Sequence, residues 1–217
     1  MTPGTACCML WVGLGVRMPG AKEKFDRLYA TASLQDGFFT ARQATAAGYG
    51  TNSHAYHVKT GNWTREYRGI FRLARYPVTE RPDLVLWFLW SMDRSGRARG
   101  VFSHSTALSL YELSDVNPAR IHMTVPTGFR RRSPIPRVLL LHLGDIPSSD
   151  IREALGVAVT TPLRTLTDVV AEGALSQDLL RQAVGEAVAR GLVTRSELVE
   201  ARARCPNMVE LLRGIRW

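Results

Sequence analysis

Polar residues between positions 52 and 59 have the types that a DNA-contacting helix uses. Asn and Ser side chains can pair with base edges or phosphates, and the ammonium group of Lys suits phosphates. The predicted DNA-contacting residues of this segment are Asn52, Ser53, His54, His57 and Lys59. A solvated helix face that carries two ordinary histidines is the alternative interpretation.

Arginines flank a short turn at Gly69. A hairpin that projects from a DNA-binding unit brings such residues to the phosphate backbone or into the minor groove. The sequence therefore predicts DNA contacts for Arg65, Arg68 and Arg72. A small basic hairpin is also a common exposed feature of proteins that bind no DNA, and this alternative stays open.

Two further polar segments follow. His104 lies between Ser103 and Ser105, where a base could activate a hydroxyl, although simple helix capping by the serines is favoured. The loop Arg130-Arg131-Arg132 could meet DNA, RNA, a nucleotide or an acidic partner. Arg164 and Asp168 are four residues apart and are expected to form an ordinary surface pair.

Motifs of common enzymes are missing from the sequence. There is no phosphate-binding Gly-x-x-x-x-Gly-Lys-Ser/Thr loop, and there is no His-Arg-Asp or Asp-Phe-Gly triplet of protein kinases. The three cysteines, Cys7, Cys8 and Cys205, form no disulfide framework, and no Cys/His spacing is typical of a zinc site. We therefore expect no catalytic residue, no metal, no cofactor and a reducing, cytoplasmic location.

Charge is distributed unevenly along the 217 residues, which carry a formal net charge of +9. Residues 1–100 hold 14 Lys and Arg against 7 Asp and Glu, whereas residues 101–217 hold 14 against 12. A basic half usually indicates an anionic partner, most often nucleic acid. A basic surface that only confers solubility is the alternative.

Patterns in residues 21–76 predict the elements that would position the first set of polar residues. Apolar spacing predicts a helix over 22–33, and a capping box at Thr40 starts a second helix that ends near Gly48. Asn52 or Ser53 is expected to cap a third helix, before strands at 63–67 and 70–73. Three short helices and a hairpin predict a winged helix-turn-helix domain.

Residues 77–217 are predicted to form a mixed α/β domain. An apolar helix is expected over 84–90 and a second helix over 103–113, with strands at 121–125, 138–143 and 157–160. From about residue 161 the chain is predicted to be helical, with caps at Thr161, Ser176 and Thr194. The expected fold class is α+β.

Residues 1–20 fit neither domain. The apolar stretch from Ala6 to Val16 is too short to span a bilayer, and no positive segment precedes it as in a signal peptide. We therefore expect no membrane partner. Translation that starts at Met18 is the preferred explanation of this tail, and a docked N-terminal arm is the alternative.

Five stretches together resemble the AbiEi-type antitoxins of bacterial type IV toxin–antitoxin systems. The resemblance spans about residues 25–200, and its stretches are Gly37–Gln43, Arg68–Leu73, Ser103–Leu108, Ile121–Pro126 and Thr160–Asp168. It implies that the winged helix represses its own operon by binding operator DNA. It also implies that the later domain neutralises a nucleotidyltransferase toxin encoded by the adjacent gene, without requiring a stable complex.

Two hypotheses for function follow from the residues and this resemblance. The first is a repressor and antitoxin, in which His104, Ser105, Arg130, Arg131 and Arg132 are the candidate toxin-neutralising residues. The second is an enzyme that inactivates the toxin covalently, for example an atypical kinase that phosphorylates a serine. The sequence lacks a standard kinase signature, which weighs against the second hypothesis.

Overall fold

Short helices and short strands alternate along the chain, and the expected α+β class is confirmed. The computed structural model describes residues 20–203 and 205–213; the predictions for residues 1–19, including a start at Met18, lie outside the described residues. The helices are α1 (Ala21–Ser33), α2 (Ala41–Ala46), α3 (Thr51–Lys59), α4 (Pro82–Trp90), α5 (His104–Leu110), α6 (Pro162–Glu172), α7 (Gln177–Ala189), α8 (Arg195–Ala201) and α9 (Pro206–Arg213). The strands are β1 (Phe38–Thr40), β2 (Trp63–Tyr67), β3 (Ile70–Leu73), β4 (Val101–Phe102), β5 (Ile121–Val125), β6 (Leu139–Leu143), β7 (Ile151–Ala154) and β8 (Val157–Thr160).

The first three strands form an antiparallel sheet in the order β1-β3-β2. Gly37 precedes β1 with a φ of 80° and lies so close to the Tyr76 ring that a Cβ would be 2.4 Å from it. Only glycine therefore fits this position. The side chains of Leu28, Phe39 and Trp63 are buried between this sheet and the first helices.

The Thr40 capping box positions α2 as predicted. The Gln43 backbone N–H donates to the Thr40 hydroxyl at 3.2 Å, and the Thr40 N–H donates to the Gln43 side chain at 2.7 Å. Two N–H groups that the helix itself cannot pair are thereby satisfied. By contrast, α3 begins at Thr51 with Gly50 in the capping position, so the predicted cap at Asn52 or Ser53 is wrong.

A five-stranded mixed sheet follows, in the order β6-β5-β4-β8-β7. The predicted strands at 121–125 and 157–160 are its β5 and β8, whereas the short β4 and β7 were not predicted. β5 and β6 run parallel, with His122 opposite Leu140 and Thr124 opposite His142. Because side chains alternate between the faces of a strand, this register places His122 and His142 on the same face.

The apolar helix α4 connects the two sheets. It contacts β1 and β3 on one side and β8 on the other. Phe38 and Ile70 of the first sheet therefore belong to the same buried cluster as Trp87 of α4 and Val159 of β8. The boundary predicted at residue 77 separates two stretches of sequence that share one hydrophobic core.

The C-terminal helices pack on α5 around a second core that includes Leu108, Leu166 and Leu198. Their predicted caps are present: Thr161, Ser176 and Thr194 each accept a backbone N–H of the following helix. The predicted helix over 103–113 is shorter, since α5 ends at Leu110. Within the described ranges, no helix has the length and apolar character needed to cross a membrane.

Candidate functional site

The solvent side of α3 carries only some of the predicted DNA-contacting residues. Asn52 and Lys59 are exposed. Ser53 is half-buried, and its hydroxyl donates to the Gly50 carbonyl at 2.7 Å. Tyr56 was not predicted, although it is 62% exposed on the same helix. Its position four residues after Asn52 and three before Lys59, which places it on the same side of a helix, was the signal in the sequence for this residue.

The two histidines of α3 pack on Trp63 instead of facing solvent. His54 is 7% exposed, and its ring centroid lies 5.6 Å from that of Trp63. His57 is half-buried and stacks on Trp63 at 4.6 Å, and burial lowers its pKa. The placement of His54 at a DNA surface is therefore wrong, because this side of α3 packs on β2.

The hairpin arginines divide into two free side chains and one bound side chain. Arg65 and Arg68 are exposed, and neither forms an ion pair with any residue that the structure describes. Arg72 is half-buried and donates to the carbonyls of Asp36 and Pro77 at 3.1 and 2.6 Å. The predicted DNA contact of Arg72 is therefore corrected to a structural role.

Arg68 opens onto a cavity of about 860 Å³ that we name the basic cleft. The arginines that line the basic cleft are Arg68, Arg94, Arg97, Arg99, Arg130, Arg131 and Arg132. Its one lining carboxylate, Asp93, already lies 3.9 Å from Arg97 and 3.7 Å from Arg99. The hairpin turn and the 130–132 loop, which the sequence analysis assigned to different partners, thus face the same space.

Aromatic packing holds the 130–132 loop in place. The Arg131 guanidinium lies 4.8 Å from the Trp90 ring centroid, and Arg130 donates to the carbonyls of Thr127 and Phe129. A cation over an aromatic face is stabilised by the ring's quadrupole. Arg130 and Arg132 remain exposed, so the loop presents charge to solvent.

A second polar centre, which we name the histidine cluster, consists of His104, His122 and His142. The His142 Nε2 lies 3.1 Å from the His122 Nδ1. The His104 ring stacks on the His142 ring with a centroid distance of 3.6 Å and an interplanar angle of 9°. Three imidazoles from α5, β5 and β6 are therefore in direct contact.

Hydroxyl groups fix two members of the histidine cluster. The Ser103 hydroxyl lies 2.9 Å from the His104 Nδ1 and 2.7 Å from the Thr124 hydroxyl. Ser103 occupies the first capping position of α5 but makes no side-chain cap bond, so its predicted capping role is wrong. Thr106 accepts the His122 backbone N–H at 2.8 Å and joins α5 to β5.

The backbone of His104 has a φ of 50°, a left-handed conformation that costs energy for a residue other than glycine. It directs the imidazole from the start of α5 onto His142. Ser105, in contrast, is only 5% exposed. Its predicted role in contacting a toxin is therefore wrong, because its hydroxyl does not reach the surface.

Acidic residues of α6 border the histidine cluster. The Glu172 Oε1 lies 4.0 Å from the His122 Nδ1. Arg164 binds Asp168 at 2.7 Å and Asp150 at 3.3 Å, and the Asp168 side chain is only 12% exposed. The expected surface pair of Arg164 and Asp168 is thus a half-buried three-residue network, in which the Asp168 Oδ2 has no described hydrogen-bond partner.

Burial sets the protonation of these groups. It lowers the pKa of His104 to about 3 and that of His122 to about 4, and the neighbouring imidazoles add to both effects. Burial also lowers the pKa of His142, against the opposing charge of Asp168. The three rings are therefore neutral at pH 7, and each has one ring nitrogen whose lone pair can accept a hydrogen bond or bind a metal ion.

Sequence spacing did not reveal the association of His122, His142 and Glu172. Their ligand atoms all lie within 4.8 Å of one another and could hold a metal ion. The expectation of no bound metal stays a prediction, since the geometry shows only that these three residues could hold an ion. Consecutive members are 20 and 30 positions apart in the sequence, so only the pairing of β5 with β6 and the packing of α6 bring them together.

The comparisons with known proteins concern the fold. No family model and no curated protein matches the chain. Among solved structures, the chain is similar to the crystal structure of the RV2827C protein from Mycobacterium tuberculosis, with a TM-score of 0.57 and 14% identity. The match covers 91% of this chain and 78% of that one. A likeness at this identity supports the architecture and carries no information about activity.

Proposed function

We propose that this chain is a DNA-binding antitoxin that represses its own operon. Residues 21–76 would form a winged helix-turn-helix unit that binds operator DNA. Residues 77–217 would counteract a nucleotidyltransferase toxin encoded by the adjacent gene. The DNA-binding half of the proposal is supported by geometry, and the neutralising half by the five stretches that resemble AbiEi-type antitoxins.

The order of elements in residues 21–76 supports the first half. A helix, a strand, two helices and a hairpin follow one another, with the sheet order β1-β3-β2. In a helix-turn-helix domain the second helix of the motif enters the major groove. In this chain α3 would take that position, with Asn52, Tyr56 and Lys59 on its exposed side.

The observation that carries the proposal is the basic cleft. Seven arginines and one aspartate line it, and the aspartate is already paired. Guanidinium groups bind phosphates with well-defined geometry and remain charged at any physiological pH. A surface of this kind fits a polyanion such as the DNA backbone, with the hairpin turn at Arg68 on its edge.

Binding of labelled promoter DNA at several salt concentrations tests the DNA contact. The variant Arg65→Ala/Arg68→Ala should bind more weakly on operator and unrelated DNA alike, because phosphate contacts carry no sequence information. Its salt slope should fall by about 1 for each lost phosphate contact. Arg181→Ala/Arg195→Ala removes the same charge from α7 and α8 and should bind as the unmodified chain does. Equal binding by both variants would contradict the proposal.

Base preference should depend on α3. Asn52→Ala or Tyr56→Ala should reduce the preference for operator over unrelated DNA by about 1–3 kcal/mol for each good base contact. His54→Gln should act mainly through stability, since this ring is buried against Trp63. A preference for operator that survived both α3 changes would remove α3 from base recognition.

Growth of cells that express the cognate toxin from an unrelated promoter tests neutralisation. The full chain should restore growth, and Arg65→Ala/Arg68→Ala should restore it equally, because repression plays no part in this assay. If the hairpin variant failed to protect while folding normally, neutralisation would depend on DNA binding and the two functions would be inseparable.

A further inference from the structure

We propose that His122, His142 and Glu172 form a binding site for a divalent transition-metal ion of the zinc class. The inference is independent of DNA binding and of toxin neutralisation. It starts from three ligand atoms, one from each of β5, β6 and α6, that converge on one point: the His122 Nδ1, the His142 Nε2 and the Glu172 Oε1.

The distances between these atoms fit the coordination shell of a metal ion. In a tetrahedral zinc site with bonds of about 2.0–2.1 Å, neighbouring ligand atoms are roughly 3.3–3.5 Å apart. The two imidazole nitrogens are 3.1 Å apart, and the carboxylate oxygen is 4.0 Å from the His122 Nδ1. All three atoms lie within 4.8 Å of one another, so metal binding would require the Glu172 carboxylate to move closer to the two nitrogens.

Hydrogen bonding alone explains only part of this arrangement. The His122 Nδ1 shares one proton with the His142 Nε2 at 3.1 Å. The Glu172 carboxylate approaches the same nitrogen at 4.0 Å, which is too long for a hydrogen bond. The hydrogen bond pairs the two imidazole nitrogens and leaves the carboxylate oxygen without a partner among the described residues at this point. A cation that displaces the shared proton would bind all three atoms.

The scaffold holds the ligands before a metal arrives. Both histidines lie on paired strands with a fixed register, and the His104 ring stacks on His142. Metal-binding histidines usually have an oriented outer partner, often a carboxylate. The buried Asp168 Oδ2, which has no hydrogen-bond partner among the described residues, is an acceptor available near His142.

The donor set determines the class of ion. Two imidazole nitrogens and one carboxylate suit Zn²⁺, Co²⁺, Ni²⁺ or Cu²⁺, whereas Mg²⁺ and Ca²⁺ prefer oxygen ligands alone. Three protein ligands leave a fourth tetrahedral position for water or a ligand atom. The side chains of His122 and Glu172 are 12% and 21% exposed, so the space is open to solvent ions.

Titration of the untagged full chain with Zn²⁺ and Co²⁺ after treatment with a chelator tests the site. Calorimetry should give about one ion per chain, with no heat from Mg²⁺ at the same concentration. The Co²⁺ complex should show the visible absorption of a low-symmetry nitrogen and oxygen site without a sulfur charge-transfer band. The variant Cys7→Ser/Cys8→Ser should bind equally, which separates this site from thiolates of the N-terminal segment.

Substitution of ligands should weaken binding selectively. His142→Gln and Glu172→Gln should each lower the Zn²⁺ affinity by at least about 10-fold. His57→Gln is the matched control because it removes an imidazole that stacks on Trp63 far along the chain, and it should leave the affinity unchanged. Glu172→Gln is nearly isosteric and lies at the last turn of α6, so it preserves the fold even if a strand variant does not.

Three outcomes would overturn the proposal. They are a stoichiometry near zero, a sulfur charge-transfer band that disappears in the cysteine variant, and equal affinity in Glu172→Gln and the unmodified chain. Near-UV circular dichroism of each variant identifies any loss of folding. If His142→Gln does not fold, the comparison of Glu172→Gln with His57→Gln still tests the site.

Discussion

The basic cleft and the histidine cluster both gather polar side chains from distant parts of the chain, but in opposite environments. The arginines of the basic cleft line an open cavity and keep their charge. The histidines are partly buried, and their lowered pKa values keep them neutral at pH 7. One centre should therefore respond to salt and the other to pH and metal ions, although both rest on one fold.

The largest expected effect is on stability, and it comes from a substitution in the core that residues 21–76 share with residues 77–217. Phe38 is 3% exposed and packs in the cluster that α4 forms with β8. Phe38→Ala should lower the free energy of unfolding by about 3–5 kcal/mol. Because this core belongs to both regions, thermal unfolding followed by near-UV and far-UV circular dichroism should show one cooperative transition at lower temperature.

Phe39→Ala is the matched control for this change. Phe39 is fully buried one residue further along the chain, but in the separate core around Trp63. If the two regions were independent, both variants would produce an early transition that leaves the unfolding of residues 77–217 unchanged. That outcome would support the domain boundary predicted at residue 77.

The next expected effect concerns the partner of the 130–132 loop. Arg130→Ala/Arg132→Ala removes two exposed charges from the basic cleft while Arg131 keeps its contact with Trp90. DNA affinity should fall by about 10-fold or more, and the salt slope should decrease by up to about 2. The sequence analysis left DNA among the possible partners of this loop but favoured a role in toxin neutralisation.

Arg181→Ala/Arg195→Ala is again the control with equal charge change, measured at the same salt concentrations. If the loop variant bound operator DNA normally but failed to restore growth in the presence of toxin, the loop would serve the toxin and not DNA. The basic cleft would then bind DNA at the hairpin turn and the toxin at the 130–132 loop.

A pH titration distinguishes the histidine cluster from the basic cleft. The pKa of His104 is about 3 and that of His122 about 4 in the folded chain, against about 6.5 in an unfolded chain. Between these values the unfolded state binds more protons, so stability should be full above about pH 6.5 and should fall as the pH decreases toward 4. Melting temperatures measured with a chelator present should show this decrease.

The variant His104→Gln/His122→Gln should remove most of that pH dependence. His57→Gln should remove less of it, since burial lowers the pKa of His57 without the effect of a three-ring cluster. An equally steep pH dependence in the double variant would show that the lowered pKa values do not govern acid unfolding. Added salt should weaken DNA binding but should not change the difference in the pH dependence of stability between the variants.

Local patterns predicted the elements that are long or clearly capped. The hairpin strands at 63–67 and 70–73 and the caps at Thr40 and Thr194 were found from alternation and capping boxes. The strands β1, β4 and β7, of two to four residues, were missed because so few residues give little periodic signal, although β3 and β8, each of four residues, were found. Their conformation is determined by the strands with which they pair.

The candidate sites were harder to predict from sequence than the helices and strands, because they depend more on tertiary packing. The exposure of Arg65 and Arg68 on a hairpin could be predicted because charge and a turn are local features, whereas their contact with DNA stays a prediction. His54 was misplaced because the face that α3 buries is determined by Trp63, nine residues later. His122 and His142 were not recognised as partners because only the parallel register of β5 and β6 brings them together.

The smallest expected effect comes from two capping boxes of equal geometry, one in each region. In both, the N–H of the third helical residue donates to threonine at 3.2 Å, and the threonine N–H donates back at 2.7 Å. Thr40→Ala and Thr194→Ala should each cost about 1 kcal/mol of unfolding free energy at pH 7. If one cooperative unit unfolds, both changes should shift the same transition.

The boxes differ in their reciprocal partner, which is Gln43 in one and Glu197 in the other. Hydrogen bonds from Thr194 lower the pKa of Glu197, so this contribution is present at neutral pH and is lost progressively as the pH falls below the pKa of an unperturbed glutamate, about 4.3. Gln43 does not titrate. In chemical unfolding at pH 7 and pH 3.5, the cost of Thr194→Ala should therefore shrink at low pH, whereas the cost of Thr40→Ala should stay constant. If the cost of both substitutions decreased equally at low pH, acid would destabilise the whole fold and the protonation of Glu197 would not explain the change.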